Sequence, residues 1–461
     1  MHIAIVGGGF TGTALAIELL SQAEPGVVIT LVERSGTPGR GLAYSTEEPA
    51  HLLNVAAGRM SVRVGQPHHL VEWLFRRRFH IGATYGPESF IPRQIYGQYL
   101  TESLRAAEAS SLARLHVLKG EVASITATSG GHMLHLADGG KLTADRVALA
   151  TGHPRPAARP SSSVLDGWSP TATARVERRE RILLIGTGLT MVDQVLSLDA
   201  AGHEGPITAI SRRGRVSEPH RIPRTEPKPI DGLDPRAGLR AVTREVRAAI
   251  RAARCAGEDW RPVIDGLRPH VQTIWATFDD AERARALRHL RPYWDTHRHR
   301  MAPTVAQTIV TLRETGRLTI LAGTIEQVTK SAADLTVTYR PRGSAERISA
   351  PFDRVIGCTG SEGDLRVSPM LAALEAAGTI RPAPLGLGID VAADMTCLAQ
   401  DGSRSEGLFA LGPPTRGALW EITAVGEIRV QCESVARTIL AHRRREPAVM
   451  IGAPARTEAR I

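Results

Sequence analysis

Two short glycine-rich segments carry residue types spaced for binding a phosphate. The first is HIAIVGGGFTGTAL, with Gly7, Gly9 and Gly12 in a GxGxxG pattern, and the second is ILLIGTGLTMVD, with Gly186 and Gly188. In the first, the apolar run IAIV reads as a buried strand and TALAIELLSQA as a helix, so the glycines fall on a strand-to-helix turn. Each glycine has a separate task there: a tight turn, close approach of backbone to a pyrophosphate, and close packing of helix on strand. Free N–H groups and the dipole at the helix start favour the anion.

A second strand, VVITLV, ends at Glu33, 21 residues after Gly12. A carboxylate at that distance accepts the ribose hydroxyls of a dinucleotide. In the second segment Met191 replaces the third glycine, and the same count lands on Arg212 in ITAISRRG, flanked by Ser211 and Arg213. A carboxylate there would repel a 2′-phosphate, whereas a guanidinium binds it through two hydrogen bonds. The alternative is that Arg212 and Arg213 form a solvated strand end. The pair of turns therefore leads to two different dinucleotides, FAD at the first and NADPH at the second.

The elements around the turns are duplicated as well. ARLHVLKGEVASIT (113–126) is echoed by GRLTILAGTIEQVT (316–329), and DRVALATG (145–152) by DRVIGCTG (353–360). The expected fold is α/β: two Rossmann-like dinucleotide-binding domains with antiparallel β inserts and an inserted helical lobe. Residues 1–160 form the first part of the FAD domain, and 161–360 form the NADP domain with the helical insertion at 235–300. Residues 361–461 return to the FAD domain. A Pro/Ser-rich stretch, HPRPAARPSSS (153–163), is the crossover between the halves.

Composition sets outer limits. The net charge is +10, but 53 of the 57 basic residues are arginines scattered among acids, which does not favour a nucleic-acid partner. Four cysteines, Cys255, Cys358, Cys397 and Cys432, form no CxxC pair, so neither a disulfide framework, a zinc site nor a redox dithiol is expected. His297 and His299 are two apart and do not face one metal from a helix. HRHR reads instead as a basic surface or an interdomain clamp. No stretch approaches the ~20 apolar residues of a membrane span, and the first strand leaves no room for a signal peptide. The expectation is a cytoplasmic protein. No GxSxG elbow or P-loop is present, so hydrolase and kinase readings lack support.

In order along the chain, GRGLAYS, HLLNV, FIPRQIYGQYL, LATGH, GTGLTMVD, SRRG, HRHR and ALWEITA resemble a bacterial FAD/NAD(P)-binding flavoprotein family with two dinucleotide-binding domains. That family is related to flavin-dependent N-hydroxylating monooxygenases. The resemblance implies FAD bound through Gly7, Gly9, Gly12 and Glu33, and a pyridine nucleotide at the second fold. Phe10, Thr11, Arg34, Arg40, Thr151, Gly152, Gly412 and Ile422 join the candidate FAD contacts. Gly186, Gly188, Leu189, Thr190, Ser211, Arg212, Arg213 and Gly360 form the candidate set at the second fold.

Asn54, with Met60 nearby, falls in the segment that passes the flavin ring in such proteins. It is a candidate for hydrogen bonding to the flavin, or else a turn cap. Glu421, beside Trp420, is placed at the start of the last helix near the flavin; an acid there is also favourable for purely structural reasons. Asn54 and Glu421 are the candidate catalytic residues. His153 is a proton carrier or a turn residue.

The reaction expected from the resemblance is an FAD-dependent, NADPH-using monooxygenation of a small amine or other nucleophile by molecular oxygen, through a flavin peroxide. The alternative is a reductase or oxidase passing electrons to a quinone, an iron–sulfur protein or oxygen. A nucleotide-bound sensor without turnover is the third reading. No motif specifies the substrate or the oligomeric state.

Overall fold

The computed structural model describes residues 1–77, 85–153, 163–169, 172–330, 334–359 and 364–441. Two parallel sheets organise the chain. In the first, strand His2–Val6 lies between Val28–Glu33 and Arg146–Leu149, all parallel, with Arg114–Lys119 beyond Val28–Glu33. The run IAIV is buried on both faces, with Ile3, Ala4 and Ile5 wholly inaccessible. That explains a continuous apolar run where a half-exposed strand would alternate. Strand Arg404–Ala410, from the C-terminal segment, pairs in parallel with Arg146–Leu149 and closes this sheet's far side, with Thr396–Leu398 antiparallel at the edge.

The second sheet repeats the arrangement. Ile182–Ile185 lies between Ile207–Ser211 and Arg354–Gly357, and Ile207–Ser211 pairs with the start of Leu318–Lys330. The inserts differ between the halves. In the first half, Val122–Thr128, Gly131–Leu136 and Lys141–Ala144 form a separate three-stranded antiparallel sheet. In the second, one 13-residue strand runs from the parallel sheet straight into the antiparallel pairings, with an irregularity between Ile325 and Gln327.

Within the second sheet's sequence, between strands Ile207–Ser211 and Leu318–Lys330, residues 238–298 fold as helices, including Gly238–Cys255, Arg261–Leu267, Val271–Thr277 and Arg291–Arg298. They surround their own small core of Val242, Val263, Leu267, Ile274, Trp275 and Phe278. Trp420 of the returning segment belongs to that core, so the lobe is packed against the C-terminal part of the chain. Among the described residues no helix is long and apolar enough to cross a membrane. No group of three or more His, Cys, Asp or Glu among them is arranged to hold a metal.

Candidate functional site

At Gly7 and Gly12 the first turn admits only glycine. Gly7 has φ +104°, and a Cβ there would stand 2.5 Å from the Ala150 carbonyl oxygen. At Gly12 a Cβ would stand 1.8 Å from the Gly7 oxygen, so helix Phe10–Gln22 touches its own turn. That helix starts at Gly9 with no side-chain cap and no acid in its first turn, which leaves its leading N–H groups open to an anion. Glu33 reaches back from its strand end: its Oε2 accepts from the Gly8 N–H at 2.8 Å, and its Oε1 from the Ser35 N–H at 3.1 Å.

GRGLAYS lies directly on this turn. Gly41, at φ +47°, has its Cβ direction 2.7 Å from the Gly9 Cα. Arg40 is exposed, and Arg34 is an exposed partner of Glu121 at 3.7 Å. Phe10 stacks near Tyr96, with centroids 6.4 Å apart. The fit to a dinucleotide is supported by Thr151, whose buried Oγ1 has no hydrogen-bond partner beside the open turn at Gly152 (φ +69°). A buried hydroxyl left unpaired calls for a ligand or water. The returning chain completes the surround: Gly412, at φ +70°, packs on Thr11 and donates its N–H to Gln431 of the last helix at 2.8 Å. Ile422 is buried.

The second turn repeats the geometry. Gly186 has φ +116°, and a Cβ there would meet the Cys358 oxygen at 2.5 Å. Helix Leu189–Ala200 starts uncapped at Gly188, with Thr190 in its first turn. Met191 takes the place of Gly12 and is wholly buried, so this helix stands further from its turn.

Counting residues misplaces the strand end by one. Gly7 N–H donates to Val32 O, and Gly186 N–H to Ile210 O, which makes Ser211 the counterpart of Glu33. Arg212 is the next residue on, because the connection from turn to strand is one residue shorter in the second half. Ser211 Oγ lies 2.8 Å from Thr187 Oγ1, and Thr187 also donates to Arg215 O. Arg212 is exposed. Arg213 and Arg215 face Tyr293 of the lobe, with guanidinium carbons 5.7 and 4.0 Å from the ring centroid. Sequence reading missed Arg215, the residue that follows ITAISRRG, and Tyr293, four residues before HRHR. Gly360 lies outside the described residues.

Between the halves is a clamp that the motifs contained but did not announce. Arg93 of FIPRQ meets Asp193 of GTGLTMVD through two bonds, 2.7 and 3.0 Å long, and donates to Leu52 O at 3.1 Å. His51 of HLLNV places Nε2 2.9 Å from both Asp193 O and Ser197 Oγ. Asn54 sits at this junction; its carbonyl accepts from His220 Nε2 at 2.9 Å. With Leu189, Arg93 and Asp193 it lines a cavity of about 10 Å³, about the least that holds one water. Burial pushes the His220 imidazole down to about 4.

Glu421 is four residues short of the last helix, which begins at Val425, and is 3 % exposed. Its placement at that helix's start is therefore corrected: it stands in the preceding turn, where its carboxylate is already engaged. Trp294 Nε1 donates to Oε1 at 2.7 Å, and Arg298 Nε lies 3.1 Å from Oε2. The ring of neighbouring Trp420 packs on Trp275, centroids 4.6 Å apart, and Trp275 Nε1 donates to Gly417 O. HRHR is thus an internal brace: Arg298 holds Glu421, and Arg300, 3 % exposed, holds Asp265 in two bonds. Burial, with Arg416 adding to it, pushes the His153 imidazole down to about 4 and keeps it neutral.

Residues 4–154 match the FAD-NAD(P)-binding family model. The chain has the fold of a flavoprotein with two dinucleotide-binding domains. Ornithine hydroxylase from Pseudomonas aeruginosa, in its reduced form, superposes with a TM-score of 0.63 at 17% identity, over 96% of this chain and 99% of that one. L-lysine 6-monooxygenase from Pseudomonas syringae gives 0.62 at 16% identity, over 95% and 98%. Bacillithiol disulfide reductase from Staphylococcus aureus gives 0.56 at 14% identity, over 96% and 98%. No curated protein sequence matches the chain.

Proposed function

We propose that the protein is an NADPH-using, FAD-dependent monooxygenase that hydroxylates a small amine or a comparable nucleophile. FAD, held at the Gly7–Gly12 turn with Glu33 and Thr151, would supply the redox and oxygen chemistry. The Gly186–Gly188 turn with Ser211, Arg212, Arg213 and Arg215 would hold NADPH, the source of the hydride. Overall, oxygen gains two electrons from NADPH and two from the substrate nitrogen, leaving one oxygen atom on the substrate and the other in water.

The observation that carries the reading is the cover over the returning segment. The lobe closes on residues 416–421 through Trp275, Trp294 and Arg298, and oxygen transfer requires such exclusion of water. The likeness to ornithine and lysine hydroxylases over nearly the whole chain supports it. Within the reading, Glu421 fixes the lobe, and Asn54 lines the junction across which hydride passes.

A reductase reading is kept because the disulfide reductase covers the chain as fully. Against a thiol-based version, Cys358, Cys397 and Cys432 are buried and unpaired, with burial raising their thiol pKa values.

The test is the absorption spectrum of FAD-loaded protein, reduced by NADPH without oxygen and then mixed with air. A long-lived absorbing species before the oxidised flavin returns supports oxygen transfer, and an amine screen with NADPH consumption matched to hydroxylated product completes it. Immediate reoxidation with one peroxide per NADPH, unchanged by every amine, favours the reductase reading.

A further inference from the structure

The helix Arg291–Arg298 of the lobe touches both halves of the molecule. One face grips the returning segment through Trp294 and Arg298 on Glu421. Another presents Tyr293, 41 % exposed, to the loop that follows strand Ile207–Ser211. There the Arg215 guanidinium lies 4.0 Å from the ring centroid and that of Arg213 5.7 Å, while Arg213 Nη2 donates to Arg288 O at 3.4 Å.

Arg212, Arg213 and Arg215 lie within four residues of one another. Among the described residues no carboxylate pairs with any of them, although ion pairs take up many of this chain's other arginines, Arg181, Arg261, Arg300 and Arg354 among them. Arg215 Nε is buried without an acceptor. Two guanidinium groups, those of Arg213 and Arg215, gathered on one ring without a carboxylate partner, with Arg212 exposed beside them beyond the C-terminal end of a Rossmann strand, form a receptor for a dianion. Mutual repulsion would spread them unless something holds them in place. The ring of Tyr293 does so without adding a negative charge that would compete with the ligand.

We propose that Tyr293, supplied by the helical lobe, is a positioning residue of the site for the adenosine 2′-phosphate. It stacks Arg215 and draws in Arg213, so that their N–H edges face the phosphate. Discrimination between the 2′-phosphorylated and the plain nucleotide therefore depends on a residue about 80 positions after strand Ile207–Ser211. The inference rests on the assignment of the second turn to NADPH.

The experiment is titration calorimetry on FAD-loaded protein with 2′,5′-ADP and, in parallel, 5′-ADP. Tyr293→Ala is expected to weaken 2′,5′-ADP about 5- to 20-fold, the range of a cation–π contact, and to leave 5′-ADP within about 2-fold. Tyr293→Phe keeps the ring and restores binding. Tyr293→Leu keeps apolar bulk without the ring and behaves like alanine, which separates stacking from packing, with FAD content confirming the fold. Equal weakening of both nucleotides by Tyr293→Ala, or full affinity in Tyr293→Leu, overturns the proposal. Arg215→Ala is the control for the underlying reading. If it loses 2′,5′-ADP selectively while Tyr293→Ala does not, the NADPH assignment survives and the role of Tyr293 falls. If neither variant nor Arg212→Ala changes the discrimination, the NADPH assignment itself falls.

Discussion

Acidification should unlock the junction between the halves through His220. This imidazole donates to the Asn54 carbonyl of the other half, lies 5.1 Å from the Phe90 ring, and is pushed by burial from 6.5 down to about 4. Arg300 and Arg298 add to the depression, while Asp265 and the Asn54 hydrogen bond oppose it. Because the folded-state value lies below the unfolded one, the unfolded chain binds the proton more readily between about pH 4 and 6.5. Stability is intact above that window, falls as the pH drops through it, and stops falling below about pH 4. Linkage gives about 2 kcal/mol lost to this one group at pH 5 relative to pH 7.5, or about 4–8 °C in the melting of a domain of roughly 200 residues. His220→Gln keeps a donor for Asn54 O and cannot be protonated. Melting followed by flavin fluorescence at pH 7.5 and 5 should show the variant losing less than the wild type by that margin. His153, also held near 4, titrates in both proteins, so the difference isolates His220. An equal loss in the two would refute the assignment of this acid sensitivity to the junction.

Three further predictions concern the turns and the clamp. Gly12→Ala places a Cβ 1.8 Å from the Gly7 oxygen and should abolish FAD retention, read as the ratio of flavin to protein absorbance; Gly188→Ala, with nothing within 4 Å of its Cβ, should retain FAD fully. Arg212→Ala combined with Arg213→Ala should raise KM for NADPH about 10-fold or more and leave KM for NADH nearly unchanged; equal rises in steady-state assays would contradict a 2′-phosphate role. Arg93 and Asp193, 16 and 15 % exposed, should show a coupling of about 1–3 kcal/mol in a double-mutant cycle of urea unfolding; additive effects would mean that the clamp holds nothing.

What could be read from the sequence follows from locality. The turns, their strands and the duplicated closing segments were legible because buried parallel strands are continuous apolar runs and the glycines stand at a fixed spacing on one strand-to-helix turn, where Gly12 lies against Gly7. The one-residue slip between Arg212 and Ser211 was not, since one residue fewer between the glycine turn and the strand end leaves no periodic signal. The clamp was invisible for a different reason. His51, Arg93 and Asp193 belong to motifs that are distant along the chain, and only the packing of helix Leu189–Ala200 on the first half brings them together. Glu421 was noticed but set at a helix start, because ALWEITA continues without a break into the helical pattern that begins at Val425.

That slip bears on why the two turns differ. In the first half a carboxylate closes the turn: Glu33 accepts from Gly8 N–H and from Ser35, and its negative charge stands beyond the strand end. In the second, removing one residue from the connection brings Ser211 to that place, and a hydroxyl pair with Thr187 closes the turn without charge. A carboxylate about 4 Å from a phosphate would oppose each negative charge by roughly 4 kcal/mol at the effective dielectric of a protein surface, more than one hydrogen bond recovers. Replacing Ser211 by Glu should therefore abolish any preference for NADPH even with all three arginines in place. The complementary change, Glu33→Ser, should weaken FAD retention without creating an affinity for 2′-phosphates, because Arg34 there is an exposed partner of Glu121 and, among the described residues, no aromatic ring stacks on it. If Ser211→Glu kept its preference for NADPH in competition binding, the arginines alone would set the selectivity, and the closure of the turn would be irrelevant to it.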